Sequence, residues 1–90
     1  MDKYEEEVTI VNKLGMHARP AALLTKEAQK HACEVLIIKD GMEINAKSIM
    51  NIMMLAAGKG TLLKIIAKGN GAKEAVQGLV KIINDKFYED

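Results

Sequence analysis

Aromatic side chains are almost missing from this 90-residue sequence: Tyr4, Phe87 and Tyr88 are the whole set, and there is no Trp. A surface that stacks single-stranded nucleic-acid bases needs several such rings, so that function is excluded. An excess of one charge is missing too. Thirteen Lys and Arg side chains stand against twelve Asp and Glu, a net charge of +1, which leaves no basic field to attract DNA or RNA. The single cysteine, Cys33, leaves no partner for an internal disulfide. Packing alone must hold the fold, and a reducing compartment is expected. No stretch reaches the roughly eighteen apolar residues that a membrane span requires. The acidic start, Met1–Glu7, lacks the apolar centre of a signal peptide. These absences predict a cytoplasmic chain with no nucleic-acid partner and no membrane insertion.

What is present is a globular composition, 49% hydrophobic and 28% charged, at a length that suits one domain over residues 1–90. From Glu5 to Asn12 the residues alternate, with Glu6, Val8 and Ile10 on one face, which predicts a half-buried strand. From Ala18 to His31 the spacing changes to that of a helix, with Ala21, Leu24, Ala28 and His31 on one stripe. Pro20 falls in the first turn, where a missing N–H costs nothing. Cys33–Lys39 and Met42–Asn45 read as two strands joined at Asp40-Gly41, a strong two-residue hairpin signal. Ser48 is a good N-cap for a short apolar helix over Ile49–Ala56. A strand over Thr61–Lys68 and a last helix follow, the helix with its stripe at Ala72, Ala75, Val76, Leu79, Val80 and Ile83. The order is β-α-β-β-α-β-α. Two or three helices can cover only one face of four strands, so an open-faced α/β sandwich is expected. Val11, Leu36, Ile38, Leu62 and Ile66 then fall on the uncovered face, which is partly apolar; it reflects a small surface or weak self-association.

One run carries chemistry. In Gly15-Met16-His17-Ala18-Arg19-Pro20-Ala21, a histidine stands where a glycine loop meets a helix N-terminus. That end offers free N–H groups and partial positive charge, and Arg19 adds a permanent cation. A neutral imidazole has a lone pair and can act as a nucleophile. A phosphoryl group accepted there would lie against an anion cradle. The plain alternative is a capping or solvated surface histidine. No Ser or Cys with an Asp accompanies His17, so hydrolytic triad chemistry is unsupported. His17, His31 and Cys33 match no zinc spacing, and Gly58-Lys59-Gly60-Thr61 lacks the full nucleotide-loop pattern. No metal and no cofactor are expected.

The same run resembles the active-site motif of the histidine-containing phosphocarrier protein HPr, of the bacterial phosphoenolpyruvate-dependent phosphotransferase system. A second motif of that family is matched by Asn45-Ala46-Lys47-Ser48-Ile49-Met50. The likeness runs from about Val8 to Phe87. It implies the HPr open-faced sandwich, a four-stranded antiparallel sheet in the order 1-4-2-3 with three helices on one face. It implies that His17 takes a phosphoryl group on Nδ1 from phospho-enzyme I and passes it to a IIA domain, with Arg19 balancing phosphate charge. The chain would be a carrier and not a stand-alone enzyme. Ser48 matches the serine that HPr kinase/phosphorylase modifies in some bacteria.

A carrier also needs a docking surface. Met16, Ala18 and Pro20 around the histidine, with Ile49, Met50, Met53 and Met54 of the apolar helix, are expected to form it; flexible methionines suit varied partners. The alternative for the methionines is that they fill a core poor in aromatics. The chain is expected to be a monomer. Asn51 and Met54 depart from the usual family residues, Gly and Ser, within the docking helix. The alternatives are therefore a nitrogen-branch carrier or a purely regulatory relative acting through protein contacts. From another class comes a ligand-sensing domain in which His17 and Arg19 hold an anion without becoming phosphorylated.

Overall fold

The computed structural model describes residues 2–89; Met1 of the acidic start and Asp90 at the other end lie outside the described residues. Four strands are formed: β1 (Lys3–Thr9), β2 (Glu34–Lys39), β3 (Met42–Asn45) and β4 (Leu62–Lys68). They make one antiparallel sheet in the order β1-β4-β2-β3. Three helices, α1 (Ala18–Gln29), α2 (Ile49–Met53) and α3 (Ala72–Asn84), complete the β-α-β-β-α-β-α order.

The register explains why the alternating strands work. Val8 pairs with Leu63, and Ile65 with Ile37. All four point to the helix side, where Leu63, Ile65 and Ile37 are fully buried and Val8 nearly so. α3 lies over β1, β4 and β2, while α1 packs beside α3 and α2. Its stripe residues Ala21, Leu24 and Ala28 join the same core as Leu79 and Ile83 of α3. Each buried Leu or Ile contributes about 1.5–3 kcal/mol, which is how a chain with three aromatic residues still builds a core.

The hairpin between β2 and β3 turns at Asp40 and Gly41, with φ of 48° and 82°. Two successive positive φ angles match the right-handed strand twist, which is what makes Asp-Gly effective there.

β2 and β4 each start one residue later than the sequence expectation, at Glu34 and Leu62, and three elements differ more. β1 begins at Lys3 and ends at Thr9, short of Asn12. Ile10 still bonds Thr61 and Gly60 through its backbone, and Asn12 has turned inward and is buried. α1 stops at Gln29, because Lys30 and His31 bond back only three residues, to Glu27 and Ala28. These tighter turns satisfy end carbonyls and terminate the helix. α2 stops at Met53, not Ala56. Ala56 takes φ of 49°, and the Leu55 carbonyl accepts a hydrogen bond from Lys39 Nζ at 2.8 Å. The ladder has already tightened: Leu55 N–H and Ala56 N–H bond back only three residues, to Ile52 and Met53, which ends the helix, and Lys39 satisfies one of the end carbonyls.

On the open face, Leu36 and Ile66 are only 7% and 8% exposed. They pair with each other, and Ile66 pairs with Glu5, whose carboxylate lies 4.0 Å from Lys64. Leu62, expected on the same face, is 53% exposed.

Candidate functional site

Gly15 sets the approach to the site. Its φ is +71°, and a Cβ there would stand 2.8 Å from the Ala57 carbonyl oxygen and 2.9 Å from Gly58 Cα. Only glycine allows so close an approach with that backbone. The next residue uses the proximity: Met16 N–H donates to the Ala57 oxygen at 2.7 Å. The loop before the histidine is thus fastened to the segment that leaves α2.

His17 is the N-cap of α1, with extended backbone (φ −121°, ψ −168°) and no side-chain capping bond. Its carbonyl accepts from Ala21 N–H at 3.0 Å, so the backbone starts the helix while the ring remains free of that task. The side chain is 38% exposed. Ala18 and Arg19 follow with N–H groups in the first turn, where no acidic residue is present. These groups and the exposed Arg19 make the surroundings of the ring favourable to an anion.

Two residues that sequence reasoning did not single out complete the surroundings of the ring: Glu89 meets it, and Asn12 holds Glu89. Glu89 Oε1 lies 3.3 Å from His17 Nε2. The same oxygen accepts from Asn12 Nδ2 at 2.8 Å. Asn12 is fully buried and its Nδ2 also donates to the Gly15 carbonyl at 2.9 Å. Both neighbours of that nitrogen are acceptors, which fixes the orientation of the amide. Asn12 Oδ1, on the other side, has no partner among the described residues, at a cost of about 1–3 kcal/mol. The hydrogen bond from Asn12 holds the Glu89 carboxyl below the usual carboxylate range; the hydrogen bond to His17 acts in the same direction, against partial desolvation. Asn12 and Glu89 are 77 residues apart in the chain, so no local spacing could have joined them.

The expected docking residues divide. Ile49, Met50, Met53 and Met54 are all exposed, at 41%, 78%, 43% and 65%, while only Ile52 of α2 is buried. Ala18 is exposed. Met16 and Pro20 are not: both are buried. Met16 joins the core beside the bond that ties its N–H to Ala57, and Pro20 lies on the buried side of the first turn of α1. They support the loop and do not present a contact surface. Leu14, at 72% exposure, is the apolar loop side chain that does face outward. Ser48 caps α2 as expected, its Oγ accepting from Asn51 N–H at 3.3 Å. No helix among the described residues is long and apolar enough to cross a membrane.

Residues 4–85 match the family model described as the phosphotransferase-system HPr component phosphorylation site. Phosphocarrier protein HPr of Pseudomonas aeruginosa is 45% identical over 84 residues, covering 92% of this chain and 93% of that protein. The HPr-like protein Crh of Halalkalibacterium halodurans is 44% identical, covering 88% of this chain and 94% of that one. The crystal structure of HPr-C-His from Thermoanaerobacter tengcongensis superposes with a TM-score of 0.92 at 42% identity, over 97% of this chain and 98% of that one. A second crystal structure from that organism, an HPr dimer, gives a TM-score of 0.77 at 44% identity, over 91% and 94%.

Proposed function

The chain belongs to the HPr family of the phosphotransferase system, and from that premise we propose that it is a phosphoryl carrier in which His17 is the acceptor. The observation that carries this reading is the position of the His17 ring. It stands at the start of α1, free of capping bonds, beside first-turn N–H groups and with no acidic residue in that turn. A phosphoryl group arriving on the ring gains helix-end and Arg19 stabilisation at once. In such transfers the protein supplies mainly position and charge. This chain offers half of a site, and the partner completes it.

In this reading phospho-enzyme I is the donor, with phosphoenolpyruvate as the ultimate source, and a IIA domain is the acceptor. Both dock over Ala18 and the exposed α2 side chains, extended by Leu14. Residues 1–90 act as one domain and as a monomer in the cytoplasm. Sedimentation across a wide concentration range tests the monomer: a constant mass supports it, and a rising mass replaces it with a dimer.

The test of the function is intact-mass measurement after incubation with phosphoenolpyruvate, Mg²⁺ and enzyme I. Wild type is expected to gain one acid-labile phosphoryl group and His17→Ala none. No gain by wild type, or an equal gain by His17→Ala, overturns the proposal.

Regulation at Ser48 is part of the same reading. A phosphate on Ser48 sits at the start of α2, which its charge tolerates, but next to Ile49 and Met50 it opposes apolar docking. HPr kinase/phosphorylase is the enzyme of that class. Exposed Met50 and Met54 leave the choice between sugar and nitrogen branches to the partner's matching surface.

A further inference from the structure

We propose that Asn12 and Glu89 form a positioning pair that holds the His17 ring with its proton on Nε2 and its lone pair on Nδ1. The inference deepens the carrier reading and rests on it. A carboxylate only accepts hydrogen bonds, so the 3.3 Å contact between Glu89 Oε1 and His17 Nε2 requires a proton on Nε2. In a neutral imidazole the other nitrogen then carries the lone pair. That nitrogen makes no capping bond to α1, and the side chain that carries it is 38% exposed.

The pair is built. Asn12 is fully buried and grips Glu89 Oε1 at 2.8 Å and the Gly15 carbonyl at 2.9 Å through one nitrogen. It thereby joins the carboxylate to the loop that carries the histidine. Glu89 reaches this place through a turn over Lys86–Tyr88 in which all three residues have positive φ, 58°, 55° and 60°. Non-glycine residues adopt that region reluctantly and keep it only where the surroundings impose it. Here Phe87, 1% exposed in the core, is the anchor beyond which Glu89 meets His17 at the start of α1.

The transfer balances without moving a proton. The Nδ1 lone pair forms a bond to phosphorus as the nitrogen–phosphorus bond of the donor phosphohistidine breaks. The electron pair of that bond stays on the donor ring. Nε2–H remains in place, the His17 ring becomes a cationic phosphoimidazolium, and its charge faces the Glu89 carboxylate. Outward transfer reverses these steps and returns the ring to the same tautomer.

The experiment combines two readouts on wild type, Glu89→Ala, Asn12→Ala and the double variant, with thermal melting to confirm folding. Long-range ¹H–¹⁵N spectra of the free protein at neutral pH report the His17 tautomer. Quench-flow phosphorylation by phospho-enzyme I reports the rate. Wild type is expected to show Nε2–H almost alone. In Glu89→Ala the other tautomer rises severalfold and the rate falls about tenfold, the scale on which groups that orient a reacting histidine act. Asn12→Ala moves both readouts the same way, and the double variant is no worse than the more severe single change. Should Asn12→Ala not fold, Glu89→Ala decides alone. An unchanged tautomer ratio in Glu89→Ala, or a rate within about twofold of wild type, overturns the proposal. The ring spectrum needs no partner. A wild type that takes up no phosphoryl group but loses its tautomer preference in Glu89→Ala contradicts the carrier reading and upholds the pair.

Discussion

At the scale of single residues, the site depends on where the backbone leaves no room. Gly15 combines φ of +71° with a virtual Cβ 2.8 Å from the Ala57 oxygen. Gly15→Ala is therefore expected to cost about 1–3 kcal/mol of stability, read as a lower urea midpoint with unchanged slope. A midpoint equal to wild type would show that the loop has slack. The motif around His17 was legible in the sequence through its resemblance to the HPr family motif; its residue types alone left a plain capping or surface histidine open. Which of those residues face outward was not. Met16 and Ala18 flank the histidine alike in sequence, yet one is buried and the other exposed. Asn12 and Glu89 were illegible for a different reason: their meeting needs the whole fold, and the left-handed turn that delivers Glu89 contains no glycine to announce it.

At the scale of elements, periodicity gave the strands and helices their identity, and contacts from elsewhere set their ends. α2 is the clearest case. Its sequence continues helix-like to Ala56, but Leu55 and Ala56 bond back only three residues and Ala56 turns to φ of 49°, while Lys39 from β2 and the Met16 N–H satisfy the carbonyls of Leu55 and Ala57 beyond the helix. The start of α2 was legible, since Ser48 is an N-cap by type and is seen to act as one. Ser48→Ala is expected to lose about 1 kcal/mol, measured by denaturant unfolding. Ser48→Asp keeps a good cap and the fold, but sets a charge beside Ile49 and Met50. Transfer from phospho-enzyme I should weaken by about 1 kcal/mol of binding, roughly fivefold. Unchanged transfer kinetics would separate α2 from docking.

At the scale of the whole molecule, one sheet face is covered by helices and the other is open, with Leu62 exposed beside the Glu5–Lys64 pair. The division was visible in the strands, where Leu36 and Ile66 fall out of phase with the core face yet remain buried. Ion pairs add a pH dependence. Glu27 is held below its ordinary value of 4.5, first by its hydrogen bond to His31 and then by Lys30, against desolvation. A carboxyl lowered in the folded state stabilises the fold above its unfolded value and loses that contribution as pH falls through the folded one. The thermal midpoint is therefore expected to decline as pH drops below 4.5, with Glu27→Gln removing part of the decline. An identical acid profile in Glu27→Gln would assign the loss to other carboxylates. In the proposed function this fold carries a phosphoryl group on one histidine between two partners. Its most direct test follows the group in and out: the protein is charged by enzyme I and phosphoenolpyruvate, separated, and mixed with a IIA domain while both masses are recorded. The carrier is expected to lose one phosphoryl mass as the IIA domain gains it, and His17→Ala to do neither. A phosphoryl group that persists in the presence of competent IIA domains, or that appears in His17→Ala, would contradict it.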